Sequence, residues 1–263
     1  MKYIFLWLIV LGGVYLGVRV FAAPTIVPYA QMKREGLPTF LCARLAEKSG
    51  GGTTLLQMKT GVSQHFGEGA TCSLSEDRAI VFSSAGDQFY LADENQIQTI
   101  SLQQNAPRTK DIRANASFDR LVIQGESEQG SVFCLFALTP ESTAVCSDLT
   151  LNKEAQARWD PEWPEQLILL TVDGNLYRKN AAQNTMKFVD DSDPELERLR
   201  ALFNPAQHAP IPRSLRWHRA FWGAEQARMA GDMALFAKRS GLYLYDPQTR
   251  GMAELLNAQV LTF

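Results

Sequence analysis

Short runs of alternating apolar and polar residues fill most of this chain. Residues 167–180, "LILLTVDGNLYRKN", show the pattern: an apolar run, an Asp-Gly pair, and a second strand-like run. Alternation with a period of two predicts β-strands, here Leu167 to Val172 and Asn175 to Lys179. The Asp173-Gly174 pair predicts a type I′ hairpin turn, in which both central residues take positive φ. A third apolar run, Thr185 to Val189, follows a polar connection.

The same layout recurs along the chain. It appears in residues 79–100, 120–147 and 232–256, and a weaker copy combines "EGLPTFLCARLAEKSGG" with "GATCSL". The glycines Gly86, Gly130 and Gly174 lie 44 residues apart, and Gly241 follows after 67 residues, which is 44 plus an insertion of 23. A period of ~40–45 residues with three or four short strands is typical of a propeller blade. We therefore predict an all-β, propeller-like fold of about five blades, with a β-sandwich or stacked meander as the alternative.

Two of these units carry a family resemblance. "ARWDPEWPEQLILLTVDGNLYR" and "MALFAKRSGLYLYDPQTRGMAEL" resemble the repeats of bacterial periplasmic β-propeller proteins of the TolB-like and WD40-like class. The resemblance is at the level of the superfamily, covers about residues 78–260, and implies a propeller fold. The chain lacks the repeated Trp-Asp and Gly-His signatures of WD40 repeats.

The N-terminus predicts export. Lys2 precedes a run that is apolar or glycine from Tyr3 to Val18, Arg19 interrupts it, and Val20-Phe21-Ala22 fits a small-residue cleavage pattern before Ala23. Residues 1–22 are therefore a signal peptide, or residues 3–23 are a retained apolar helix that anchors the protein. Both alternatives place the body in the periplasm of a Gram-negative bacterium.

The remaining chain reads as one domain. Residues 23–36 are a linker or a closing strand, and residues 37–263 are a single propeller-like domain. Extended segments at 24–30 and 257–263 are expected to complete one blade together.

Four cysteines lie in the exported part, and an even number in an oxidising compartment predicts two disulfides. Cys134 and Cys146 flank a Thr-Pro-Glu-Ser turn almost symmetrically, so we expect them to pair across a hairpin. That leaves Cys42 to pair with Cys72. Because these two match Cys134 and Cys146 in the alignment of the copies, we expect a hairpin pairing there too.

The insertion, at about residues 191–230, has a different character. Residues 191–205 predict a helix with Ser192 or Asp193 as N-cap and Pro194 in the first turn. The segment "RSLRWHRAFW" that follows is rich in arginine and tryptophan, which are favoured at protein interfaces. We predict that it binds a partner, with a packed amphipathic segment and a lipid contact as alternatives. The predicted partner-binding residues are Arg213, Arg216, Trp217, Arg219, Phe221 and Trp222.

No catalytic motif stands out. The chain has no G-x-S-x-G, S-x-x-K, His-Glu-x-x-His, P-loop or G-x-G-x-x-G sequence, and its histidines and cysteines lack metal-ligand spacing. We therefore predict no catalytic, cofactor or metal site. The acidic stretch at 189–197 lacks the pattern of an EF-hand. If the protein were a glycosidase, Asp160, Glu162 or Asp87 would be the carboxylates to test.

The composition narrows the partner class. The formal net charge is −2 and the pI is about 6.0, so no overall positive field favours nucleic acid. We expect an exported, non-enzymatic, protein-binding scaffold or accessory subunit of a cell-envelope membrane complex, touching the inner membrane if its helix is retained. A carbohydrate-active hydrolase or lyase and a small-ligand or peptide sensor are the alternatives.

Overall fold

A computed structural model describes residues 22–263, except residues 33–34, 76, 84–87, 102–108, 129, 139–146, 152–153, 184 and 205–209. The apolar N-terminal helix and the turn at Gly86 fall outside the described residues. Within the described ranges, no helix is long and apolar enough to cross a membrane.

The described chain is almost entirely β-structure. In chain order the strands are β1 (Thr25–Ile26), β2 (Phe40–Leu45), β3 (Thr53–Gln57), β4 (Val62–Phe66), β5 (Thr71–Leu74), β6 (Ala79–Ser83), β7 (Gln88–Ala92), β8 (Ile97–Ser101), β9 (Thr109–Ala114), β10 (Arg120–Ser127), β11 (Gly130–Ala137), β12 (Ser147–Leu151), β13 (Ala155–Trp159), β14 (Gln166–Thr171), β15 (Leu176–Asn180), β16 (Thr185–Val189), β17 (Gln226–Ala230), β18 (Met233–Lys238), β19 (Gly241–Tyr245), β20 (Gly251–Leu256) and β21 (Val260–Thr262). Two short helices, α1 (Leu196–Ala201) and α2 (Arg213–Arg216), both lie in the insertion.

These strands form five sheets in the described part of the chain. We name them sheet I (order β21-β2-β3-β4), sheet II (β5-β6-β7-β8), sheet III (β12-β11-β10-β9), sheet IV (β13-β14-β15-β16) and sheet V (β1-β20-β19-β18-β17). Neighbouring strands are antiparallel except β1 and β20, which run parallel. The prediction of an all-β, propeller-like architecture is confirmed, since four of the five predicted copies each fold within one small sheet. The weak first copy is divided, because its segment "GATCSL" supplies β5 of sheet II and not a strand of sheet I.

The inner strands are apolar on both faces because each sheet packs against two neighbours. In β14, Leu167 and Leu169 face one hydrophobic cluster, while Ile168 between them faces another. The run "LILL" is therefore a strand buried on both sides, and its lack of polar alternation follows from that position.

Hydrophobic clusters join four pairs of sheets in the described part of the chain. Buried side chains of sheets I and II, II and III, III and IV, and V and I form one cluster for each pair. Representative pairs are Phe40 with Val81, Phe82 with Phe136, Phe133 with Leu169, and Leu41 with Leu235. The insertion forms two further clusters, one with sheet IV and one with sheet V.

The two ends of the chain complete different sheets. Strand β21 pairs with β2 in sheet I, so the C-terminus closes the sheet that the N-terminal part begins. Strand β1 instead adds to the outer edge of sheet V, where Thr25 and Ile26 lie opposite Gly251 and Met252. The expectation that both ends share one blade is therefore wrong.

The hairpin turn between β14 and β15 also differs from the prediction. Gly174 has φ of +84°, whereas Asp173 is not among the described residues with positive φ. The Gly174 N–H donates to the Thr171 carbonyl, and the Thr171 N–H donates to Asn175. This is a longer loop with a single left-handed glycine, and a type I′ turn would require two residues at positive φ.

One disulfide joins two sheets. Cys42 in β2 is bonded to Cys72 in β5, with a Cα–Cα distance of 6.7 Å. The predicted pairing is confirmed, but the bond crosses the junction between sheets I and II and does not span a hairpin. Cys134 is also disulfide-bonded, and its predicted partner Cys146 lies outside the described residues.

Candidate functional site

The insertion is shorter than the sequence suggested. Strand β16 ends at Val189 and β17 begins at Gln226, so residues 226–230 belong to sheet V. Helix α1 begins at Leu196, later than the predicted start near Pro194, because the Asp193 carboxylate accepts the Glu195 N–H and holds the preceding residues in a turn. We use "the insertion" for residues 190–225 from here on.

The two halves of the insertion pack on different sheets. Helix α1 buries Leu199 against Ile168 and Leu176 of sheet IV. Residues 211–221 bury Ile211 and Phe221 against sheet V. The insertion thus contributes to two hydrophobic clusters as well as to the surface.

Five of the six predicted partner-binding residues are exposed on the second half of the insertion. Trp217 is 70% exposed and Trp222 is 53% exposed, and the arginines Arg213, Arg216 and Arg219 are exposed as well. We call this set, Arg213, Arg216, Trp217, Arg219 and Trp222, the Arg–Trp surface. Large exposed tryptophans are unusual on a monomer surface and mark candidate contact sites.

The sixth residue, Phe221, is buried, and its predicted role in partner binding is wrong. Its ring centroid lies 5.0 Å from that of Phe236 and 5.4 Å from that of Tyr245. Only 9% of Phe221 is exposed. It anchors the Arg–Trp surface to sheet V, because its ring fills the space above β18 and β19.

The arginines of this surface have no described carboxylate partner. Arg216 Nε donates to the Ile211 carbonyl at 3.4 Å, and the Arg219 guanidinium lies 5.9 Å from the Trp222 ring centre. Elsewhere in the described chain, arginines such as Arg178 and Arg198 are paired with acids. The Arg–Trp surface therefore presents uncompensated positive charge beside aromatic rings, although the protein as a whole is slightly acidic.

A buried tyrosine supports this surface from below. His218 Nδ1 and the Tyr245 hydroxyl share a hydrogen bond of 2.9 Å, and Arg250 also interacts with Tyr245. Burial raises the pKa of Tyr245, and Arg250 only partly offsets this effect. The hydroxyl therefore stays protonated and holds His218 in place.

Asp160 serves a structural purpose. Its carboxylate is fully buried and accepts two hydrogen bonds of 2.8 Å from the Arg198 guanidinium. Burial acts to raise the pKa of Asp160, but the hydrogen bonds from Arg198 and from the Glu162 N–H outweigh it, and the pKa lies below its usual value. A carboxylate neutralised in this way does not fit the proton donor of a glycosidase. Glu162 is exposed, and Asp87 lies outside the described residues.

The acidic stretch at 189–197 is likewise accounted for by local contacts. Asp193 and Glu195 both bind the Arg178 guanidinium, at 2.9 Å and 2.6 Å, and Asp190 accepts hydrogen bonds from Ser192. Within the described ranges, no group of three or more His, Cys, Asp or Glu residues could hold a metal ion.

A polar cleft lies at the junction of sheets III and IV. It has a volume of about 410 Å³ and is lined in part by Gln124, Ser131, Glu154 and Thr171. Gln124 and Ser131 bond to the backbone of Ala155, and Thr171 bonds to Asn175. These side chains hold the junction together, so the cleft offers few free polar groups to a ligand.

Several residues of the site were not found from the sequence. Tyr245 and Arg250 lie in the turn "LYLYDPQTRG", which reads as an ordinary hairpin. Their roles depend on His218 and Ala22, which are 27 and 228 residues away along the chain. Local patterns carry no signal for contacts at such separations.

Comparison with known proteins gives a fold and no family. No family model matches the chain, and no curated protein matches it by sequence. Among solved structures, AztD from Citrobacter koseri is 12% identical, with a TM-score of 0.43, covering 85% of this chain and 58% of that one. The β-propeller domain of Cps50 (Swd1) from Myceliophteria thermophila is 10% identical, with a TM-score of 0.41, covering 88% of this chain and 68% of that one.

The expectation that the protein is not an enzyme is wrong. It was inferred from the fold and from the lack of catalytic motifs. Two similar solved structures are described as enzymes. One is a putative 6-phosphogluconolactonase from Bacteroides uniformis (13% identity, TM-score 0.33, 49% of this chain and 42% of that one). The other is an acylaminoacyl peptidase (12% identity, TM-score 0.41, 82% of this chain and 44% of that one). Enzymes share this architecture, so the non-enzyme assignment is withdrawn. This chain spans about 58% of the length of AztD and less of both enzymes, and at these identities the likeness concerns the fold alone.

Proposed function

We propose that the protein is an exported, protein-binding scaffold or accessory subunit of a cell-envelope membrane complex. In this proposal the five sheets are the blades of a closed ring, and the body lies in the periplasm of a Gram-negative bacterium. Propeller-like rings present loops from a rigid frame, which suits protein partners in general.

The observation that carries the proposal is the Arg–Trp surface. Trp217 and Trp222 are exposed on a segment whose underside is fixed by Phe221. Tryptophan and arginine dominate the energy of protein interfaces because they combine large contact areas with directional bonds. A rigid base lowers the entropy that the surface loses on binding.

Charge defines the partner's chemistry. Since no described carboxylate neutralises Arg213, Arg216 or Arg219, an acidic segment of the partner would complete the surface. Burial of the two tryptophans would supply the apolar part of the contact.

The test is photo-crosslinking in native membranes. A benzoylphenylalanine at Trp222 should crosslink stoichiometrically to one envelope protein, and the double variant Arg219→Gln/Trp222→Ala should remove that partner from a pull-down. Arg239→Gln is the matched control, because Arg239 is an exposed arginine of sheet V outside the surface. Loss of the partner in both the double variant and Arg239→Gln would indicate that binding depends on charge without a specific site. If no protein co-purifies with the chain in any preparation, the proposal is refuted.

A further inference from the structure

The chain is bonded to the body from its first described residues. Residues 22–32, which we call the N-terminal strap, run along sheet V toward sheet I. Strand β1 pairs with β20, the Val27 N–H donates to the Met252 carbonyl at 2.9 Å, and the Tyr29 hydroxyl donates to the Met58 carbonyl. The part of the chain that precedes residue 22 therefore joins the body at a defined point.

Arg250 clamps that point. Its Nη2 donates to the Ala22 carbonyl at 2.5 Å and lies 3.3 Å from the Ala23 carbonyl, so it bonds on both sides of the predicted cleavage position. Arg250 itself has φ of +63°, a conformation that glycine adopts with less strain. The Arg250 side chain therefore holds the strap at the turn that follows Tyr245.

The clamp and His218, which adjoins Trp217 of the Arg–Trp surface, lie at the same end of the strands of sheet V, beside the turn between β19 and β20. We call this end of the strands the turn edge. Ile26 is opposite Met252, which is opposite Tyr245. Residues directly opposite one another project from the same face of a sheet, and on this face Met252 and Tyr245 pack against the insertion. Ile26 is nevertheless 68% exposed. Tyr245 in turn bonds His218, the neighbour of the exposed Trp217.

We propose that this edge rests on the membrane that holds residues 1–21. Ile26 and Trp217 lie in the interfacial layer, and Arg213 and Arg216 contact anionic phospholipid headgroups. Tryptophan is favoured at the membrane–water interface, and arginines near an anionic leaflet are attracted to it. The bilayer is the occupant that fits, because the chain leaves the body for its apolar run at this edge.

This inference refines the proposed function by dividing the Arg–Trp surface. The Trp217 end faces lipid, and Arg219 and Trp222 remain for a protein partner. The partner would then be a membrane protein that reaches the body from the bilayer plane. The lipid contact depends on retention of the apolar run and does not depend on the identity of that partner.

The test uses the full chain in nanodiscs, with an intact N-terminus verified by mass spectrometry. Benzoylphenylalanine is placed at Trp217 or Ile26, with Ser240 as control, because Ser240 is exposed at the opposite end of β19. In discs of phosphatidylethanolamine and phosphatidylglycerol, lipid adducts are expected at 217 and 26. At least about fivefold fewer lipid adducts are expected at 240. The five residues of β19 separate this position from the turn after Tyr245 by more than a Debye length.

Two variants test the chemistry. Arg213→Gln/Arg216→Gln should lower adducts at 217 by at least about fivefold in anionic discs, with no change in phosphatidylcholine discs. Arg250→Gln should lower the lipid adducts at 217 in both kinds of disc, because this change releases the strap. Arg239→Gln should leave them unchanged.

Equal adducts at 217 and 240, or none at 217, would overturn the proposal. So would a mature chain that begins at Ala23, because it would have no apolar run. If position 217 gives protein adducts but no lipid adducts in native membranes, this edge binds the partner. The lipid contact is then refuted, and the proposed function stands. If position 217 gives lipid adducts and position 222 gives no partner, the lipid contact stands and the proposed function is refuted.

Discussion

Arg198 of helix α1 and Asp160, which follows β13, form a two-pronged ion pair. Both guanidinium Nη atoms donate to the carboxylate at 2.8 Å. Asp160 is completely buried, while the Arg198 side chain is 28% exposed. The pair ties the first half of the insertion to the end of β13 in sheet IV.

Replacing one member of this pair should destabilise the protein. We expect Asp160→Asn or Arg198→Gln to lower the free energy of unfolding by about 2–3 kcal/mol, less than for a fully buried pair because Arg198 is partly solvated. Urea unfolding measures this loss. The double variant should cost little more than either single change; fully additive losses would mean that the two side chains act independently.

The same pair predicts a pH dependence. Because the pKa of Asp160 is lowered in the folded protein, its stabilising contribution is fully present above the ordinary carboxyl value of about 3.9. It is lost as the pH falls through the folded value. Melting temperatures between pH 7 and pH 3 should therefore fall more steeply for the wild type than for Asp160→Asn. Parallel curves would show that Asp160 titrates alike in both states.

Alanine substitutions of Phe221 and of the two exposed tryptophans should have different effects on stability, because Phe221 is buried and the tryptophans are exposed. Phe221→Ala removes a buried ring and should cost about 3–4 kcal/mol of stability. Trp217→Ala and Trp222→Ala should change stability by less than about 0.5 kcal/mol, because both side chains are largely in solvent. Thermal unfolding of the three variants gives the comparison. A large loss for Trp222→Ala would place that side chain in the core and remove it from the candidate contact site.

The Cys42–Cys72 disulfide should contribute to the joining of sheets I and II. Its residues are 30 positions apart, for which the chain-entropy model gives about 3.5 kcal/mol. Cys42→Ser/Cys72→Ser should lose roughly that much in denaturant unfolding under oxidising conditions. If the double variant keeps the wild-type midpoint, the packing of Phe40 and Val81 alone would hold this junction.

The strands were largely predictable because their signal is local. The runs around Leu167, Val81 and Leu235 are apolar over the length of one strand, and the turns between them contain glycine or Asp-Gly. The repeat period predicted the propeller-like architecture for the same reason, since most of the predicted units fold within a single sheet. Helix α1 was predicted from its N-cap candidates and its proline, although its first turn begins later than expected.

The sequence by itself determined the strand pattern, the repeat, the Cys42–Cys72 pairing and the exposed character of most of the Arg–Trp surface. Only the tertiary structure decided that β1 and β21 complete different sheets and that Phe221 is buried against sheet V. It also decided that the Asp160 carboxylate pairs with Arg198. It alone placed Ala22 beside Arg250 and Tyr245. The physical reason is that side-chain alternation is a property of neighbouring residues, whereas these contacts arise when sheets pack and the ends of the chain meet across long sequence separations.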